Sequence, residues 1–215
     1  VISVLSGHIG GANDLTRHIA AHLGAHEVIT TQSDNAGLWP LDTLDKQFNW
    51  NMVGFDDINA CISAFVNREP TALLMDIRDA GTDFLERTLP DHVTIVNSID
   101  EVTPKRFRLL IQVTPYIIDT PPGVLKVSYV PKVGVLGFGL ASHPANYEHI
   151  LEEIDEAITD NDIMPCYKRF CTIDVKRDEE FCAKLQKETN SEVVYYTTEE
   201  LAKIEVPNPS PTVEK

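Results

Sequence analysis

Residues 1–34 read VISVLSGHIGGANDLTRHIAAHLGAHEVITTQSD. VISVL is a short apolar run with the look of a buried strand. ANDLTRHIAAHLGA then places Leu15, Ile19 and Leu23 at helical spacing, and Gly24 is a helix stop. HEVITT supplies the next strand. Strand, loop, helix and strand in that order are the grammar of a parallel α/β sheet.

The loop inside this unit, SGHIGGAN (6–13), carries more chemistry than a connection needs. Glycines feeding a helix expose backbone N–H groups beside the positive end of the helix dipole, which outlines an anion site. Gly10 and Gly11 permit close backbone approach, and Ser6, His8 and Asn13 add side-chain donors and acceptors. A plain turn with Asn13 as helix cap is the alternative. The spacing matches neither the dinucleotide nor the P-loop fingerprint. Thr30, Thr31, Ser33 and Asp34 end the following strand, at the carboxyl edge where open α/β sheets bind ligands. Polar turn chemistry is the competing explanation there.

Working outward, residues 35–50 have no clean period and read as a domain boundary or crossover. DDINACISAFVN follows as a helix with Ile58, Ile62 and Phe65 facing inward. TALLMDI, HVTIVNS and RLLIQV read as strands. Pro115, Pro121, Pro122 and Gly123 mark a linker. The same grammar then restarts with LKVSYV and KVGVLGFG as strands. A helix with Tyr147, Ile150, Leu151, Ile154 and Ile158 at helical spacing comes next, followed by RFCTIDV, a helix in RDEEFCAKLQKETN, and EVVYYT. TEELAKI opens with a threonine cap and acids. The tail VPNPSPTVEK reads as extended. The expectation is two α/β domains with mainly parallel sheets joined by a middle segment. Residues 1–36 would be the C-terminal portion of one domain, 37–123 the middle α/β segment and linker, and 124–215 the C-terminal α/β domain. The chain opens inside a strand-like run without an initiator Met, and reads as a piece of a longer protein.

Two further loops could carry a ligand. In GFGLASHPAN, Gly137 and Gly139 end a strand, Ser142 could cap the next helix, and His143 would sit beside its N-terminus. In TIDVKRDE, Asp174, Lys176 and Glu179 lie just past a strand, where Lys176 could reach a carboxylate or phosphate. Both have a plain reading, a capped turn and a solvated helix entry.

Composition narrows the function classes. Eighteen basic and 33 acidic side chains leave a formal charge of −15, poor for binding nucleic acid or an anionic membrane surface. The expected partners are therefore a small molecule, with no nucleic acid and no membrane. The four cysteines, Cys61, Cys166, Cys171 and Cys182, form no C-x-x-C pair, which suits reduced thiols in a cytoplasmic protein. His18, His22 and His26 have H-x3-H-x3-H spacing, but Gly24 ends the helix before His26 and no carboxylate joins them, so no metal site is expected.

These blocks resemble the CbiG family of cobalamin biosynthesis. The family loop has the form S-G-H-x-G-G-A-N with a V-I-T-T strand end and a nearby Asp. Ser6, Gly7, His8, Gly10, Gly11, Ala12, Asn13, Thr30, Thr31 and Asp34 match it. VGVLGFG, TIDVKRDEEF and EELAKIEVPNPSPTV resemble further family segments. Two features depart from the family pattern. Leu140 stands where the family glycine strand continues to a cysteine, and SHP replaces a basic-glycine continuation.

The resemblance implies opening of the δ-lactone of cobalt-precorrin-5A with release of acetaldehyde, giving cobalt-precorrin-5B. Cobalt arrives inside the corrinoid substrate, so no separate cofactor is implied. It points to His8 as general base or acid, with Asn13 beside it. Ser6, Gly7, Gly10, Gly11, Thr30, Thr31, Asp34, Gly137, Gly139, Ser142, His143, Asp174, Lys176 and Glu179 would bind the substrate. Lys105, Arg106 and Arg108 form a local basic cluster that could offset the acidic field. A homodimer is the assembly left open. The alternatives are a non-catalytic tetrapyrrole carrier of the same pathway, separated from the hydrolase by turnover, and an unrelated nucleotide binder, which the missing fingerprints oppose.

Overall fold

The computed structural model describes residues 2–3, 12–29, 37–139 and 147–205. The chain divides into two compact units, Val1–Lys132 with Asp162–Met164, and Val133–Asn161 with Pro165–Lys215. Both are α/β, and their sheets are mainly parallel.

The first unit opens with β1 (Ile2–Ser3), α1 (Ala12–Leu23) and β2 (Val28–Ile29). β1 and β2 pair in parallel, as the opening stretch predicts. Gly24 adopts φ +60°, and Ala25 N–H donates to Ala20 O at 2.9 Å, so the helix stops in a Schellman-type turn. α1 begins at Ala12, which places Asn13 inside its first turn rather than at the cap. Leu15, Ile19 and Leu23 do share a face, but it is exposed, whereas Thr16 and Ala20 are buried.

The remaining elements of this unit are α2 (Leu44–Phe48), β3 (Asn51–Phe55), α3 (Ile58–Val66), β4 (Thr71–Met75), α4 (Ala80–Arg87), β5 (Val93–Val96), a 3-10 turn (Ile99–Glu101), β6 (Leu109–Val113) and β7 (Leu125–Val130). The strands form one sheet in the order β3-β7-β6-β4-β5, parallel except for β3 against β7. One face buries Leu73, Leu109, Ile111, Val127 and Tyr129 with Phe65 of α3 and Leu85 of α4. The other buries Ala72, Leu74 and Leu110 with Val102, Phe107 and Val124. Strands buried on both faces explain why these segments read as continuous apolar runs.

Three expectations change here. Residues 37–50, expected as a boundary or crossover, also contribute to packing: Leu38, Trp39, Leu41, Leu44 and Trp50 belong to the buried core. Trp39 stacks on Phe65 at 5.6 Å, its indole N–H donates to Thr88 Oγ1 at 2.9 Å, and the Tyr129 hydroxyl donates to Leu41 O. An irregular segment held by long-range bonds has no period to read. The proline-rich stretch 114–124 is not an interdomain linker but the connection between the neighbouring strands β6 and β7. LKVSYV, expected to open the C-terminal domain at 124, is β7, with Val127, Tyr129 and Val130 fully buried.

The second unit contains β8 (Gly134–Gly137), α5 (Tyr147–Thr159), β9 (Tyr167–Ile173), a 3-10 turn (Asp174–Lys176), α6 (Glu180–Thr189), β10 (Glu192–Tyr196) and α7 (Thr198–Leu201). Its sheet, ordered β10-β9-β8, is parallel throughout. Ile150, Leu151, Ile154 and Ile158 of α5 and Phe181 and Leu185 of α6 pack with Tyr167 and Phe170 into one cluster. These are the positions their helical spacing selects. Thr197 caps α7 in a capping box with Glu200.

Candidate functional site

Because β8, β9 and β10 run parallel, their C-terminal ends share one edge of the second unit. That edge carries Gly137 and Gly139 after β8, Asp174 and Lys176 after β9, and Thr197 after β10. The sequence-predicted residues Gly137, Gly139, Asp174, Lys176 and Glu179 are therefore brought to neighbouring strand ends. Ligands of open α/β sheets bind at such edges.

The β8 end is held from behind. Phe138 N–H donates to Cys171 O at 2.9 Å, and the Thr172 hydroxyl donates to Phe138 O at 2.9 Å. The Phe138 ring meets Phe170 and Phe181 edge-on, with centroids 6.4 and 5.9 Å away. Thr172 and Phe138 were not singled out from the sequence. Their signal was only the alternation of buried positions along β9, which does not announce a cross-strand bond.

The glycines on either side of Phe138 are exposed, and a Cβ added to Gly137 or Gly139 would meet no atom of the described residues within 4 Å. Neither has a positive φ. Backbone geometry and packing among the described residues thus leave both positions free to carry a side chain. Bare backbone at this edge suits close approach by a ligand.

In the turn after β9, Asp174 O accepts the Arg177 N–H at 3.0 Å and Lys176 O accepts the Glu179 N–H at 3.1 Å. Lys176 Nζ lies 3.5 Å from Glu179 Oε1, with both side chains largely buried. The Lys176 carbonyl also accepts the Cys182 thiol at 3.4 Å. Burial pushes the thiol of Cys182 above its usual range, and burial together with its bond to Cys182 raises the Tyr195 phenol. Both groups stay protonated at neutral pH. They therefore fix the turn that presents Lys176 rather than act as nucleophiles.

Ser6, Gly7, His8, Gly10, Gly11, Thr30, Thr31, Asp34, Ser142 and His143 lie outside the described residues. Among the described residues, no group of three or more His, Cys, Asp and Glu side chains could hold a metal ion. The basic cluster falls in the first unit, where Arg106 stacks on the Phe107 ring at 4.7 Å and Arg108 lies 3.6 Å from Glu69. No helix among the described residues is long and apolar enough to cross a membrane.

Three family descriptions match in sequence along the chain. They are the cobalamin synthesis G N-terminal region over residues 1–34, the cobalamin biosynthesis central region over 39–131, and the cobalamin synthesis G C-terminus over 134–215. The chain belongs to the CbiG family. A cobalt-precorrin-5A hydrolase of Priestia megaterium is 33% identical over 220 residues, covering 100% of this chain and 58% of the relative. The cobalt-precorrin-5A hydrolase of Salmonella typhimurium is 58% identical over 52 residues, or 24% of this chain and 15% of the relative. A solved cobalamin biosynthesis protein G homolog from Sulfolobus solfataricus is 17% identical, covers 100% of this chain and 58% of its own, and has a TM-score of 0.34. The CbiG chain thus spans 58% of the length of its Priestia relative. The central and C-terminal matches meet at 131–134, where the two compact units also divide.

Proposed function

We propose that the protein is a cobalt-precorrin-5A hydrolase. It would open the δ-lactone of the corrinoid and release a two-carbon fragment as acetaldehyde, giving cobalt-precorrin-5B. The observation that carries this reading is the 33% identity, over the whole chain, to a relative that bears this activity in its name.

The reaction needs an activated water, donors for the oxyanion of the tetrahedral intermediate, and a surface that orients a polycarboxylate ring. His8 takes or gives the proton. The backbone N–H groups of Gly10 and Gly11 receive the oxyanion or a peripheral carboxylate, and Asn13, Thr31 and Lys176 orient the ring. Ser6, Gly7, Thr30 and Asp34 complete the N-terminal contacts, and Ser142, His143, Asp174 and Glu179 the C-terminal ones. Open space at Gly137 and Gly139 among the described residues, with the largely buried Lys176–Glu179 pair on the next strand end, supports a binding role for the second unit's strand edge. Cobalt is part of the substrate and no separate cofactor takes part. The protein works in the cytoplasm, as a homodimer.

The test is anaerobic turnover of cobalt-precorrin-5A by the full-length protein, with acetaldehyde coupled to NADH oxidation and the corrinoid spectrum followed in parallel. Acetaldehyde in step with substrate loss is expected. A spectral shift without acetaldehyde would mean a tetrapyrrole carrier instead. In the His8→Ala variant, kcat should fall by about a thousandfold while substrate affinity changes little. Equal loss in both would make His8 a binding residue.

A further inference from the structure

The first unit holds a cleft of about 600 Å³ that no step above uses. It opens where β6 and β7 begin, at the edge opposite the carboxyl ends of the parallel strands, and its lining includes Arg108, Thr120 and Lys126. We propose that this cleft binds a small polycarboxylate anion between Arg108 and Lys126.

The two cations are set by the sheet. Leu109 pairs with Leu125, and Leu125 N–H donates to Arg108 O at 2.9 Å, so Arg108 continues the ladder. Alternation puts Arg108 and Lys126 on the face that also carries Leu110 and Val124. Strand spacing and rise place their Cα atoms roughly 8 Å apart. Two positive groups that far apart fit separated carboxylates better than one compact oxyanion.

Neither cation is satisfied within the protein. The only partner of the Arg108 side chain among the described residues is Glu69 at 3.6 Å, in an exposed pair worth little. The Lys126 ammonium makes no hydrogen bond or ion pair among the described residues, although its backbone N–H and C=O bond Asp56 at 2.8 and 3.1 Å. Those bonds fix the rim and occupy one carboxylate oxygen of Asp56. Thr120 lines the cleft, but its Oγ1 is buried behind the wall, without a hydrogen-bond partner among the described residues, and does not face the ligand. The wall is stiff, with Pro121 and Pro122 leading into a turn closed by Val124 N–H to Pro121 O at 3.2 Å. The volume lies in the range of small-molecule sites. Asp56 and Asp119 also line the cleft, and their charges oppose an anion.

The assignment is independent of the hydrolase reading. The carboxylates could belong to a free metabolite or to the acid side chains of a larger ligand. The test is calorimetric titration of the full-length protein with citrate at constant ionic strength, inorganic phosphate being the compact control. Saturable millimolar binding of citrate, tighter than phosphate, is expected. Arg108→Gln and Lys126→Gln should each weaken it by about tenfold. Asp119→Asn should tighten it, and Lys105→Gln should leave it unchanged. Melting curves check that each variant is folded. Displacement of citrate by cobalt-precorrin-5A would assign the carboxylates to the larger ligand, and simultaneous binding to a free metabolite. No saturable heat with citrate, or binding unaltered in Arg108→Gln and Lys126→Gln, would overturn the site. Weaker binding in Asp119→Asn would overturn the anion assignment.

Discussion

Asp79 serves two elements with one carboxylate. Oδ1 accepts the N–H groups of Gly81 and Thr82 at 3.0 and 2.9 Å, and Oδ2 accepts the Trp50 indole N–H at 2.7 Å. Losing the cap and leaving a buried indole unpaired should lower stability by about 2 kcal/mol in Asp79→Ala, read from urea midpoints. Gly81 lies under the same ring, and a Cβ there would run into Trp50 and Phe48. Gly81→Ala should therefore lose about 3 kcal/mol by overpacking. Asp79 was not singled out from the sequence: its partner Trp50 lies 29 residues away and no spacing rule reaches it.

His92 makes stability depend on pH. Both ring nitrogens are buried without a geometrically good partner, and the ring sits 5.0 Å from Phe65. Burial first and the Arg68 charge second hold its pKa below the ordinary value, with the Phe65 backbone and Asp91 opposing. The unfolded chain therefore takes up a proton more readily than the folded one. The contribution is present in full above the unfolded pKa of about 6.5 and is lost as pH falls below it. Urea midpoints should decline from pH 7 towards pH 5 in the native protein and decline less in His92→Phe. Equal slopes would remove His92 as the cause.

At the scale of elements, helical period was the most readable signal. Helices 58–66, 147–159 and 180–189 all carry apolar residues at the spacing that packs them. The strands were readable as apolar runs, but their order was not. LKVSYV reads equally well as the first strand of one domain or the last of another, and only pairing with β6 and β3 decides. Segment 37–50 was opaque because its tryptophans are placed by tertiary bonds rather than by period. The turn after β8 was readable as a glycine motif, without the Thr172 bond that pins it. Thr172→Val should strand the Phe138 carbonyl and lower stability by about 1.5 kcal/mol, whereas Thr172→Ser should retain most of it.

At the scale of the molecule, two α/β units each present a strand edge, and the central and C-terminal family matches meet at their division. On the proposed function, a chain of net charge −15 would bind its polycarboxylate substrate through local donors. In the second unit those donors would be bare backbone at Gly137 and Gly139 with Lys176 beside them. The most direct measurement is a spectral titration of the full-length protein with cobalt-precorrin-5A, comparing the native protein with Gly137→Val and Gly139→Val. The account predicts melting temperatures close to native and corrinoid affinity lower by about tenfold or more in both variants. Native affinity in both, with folding intact, would contradict it.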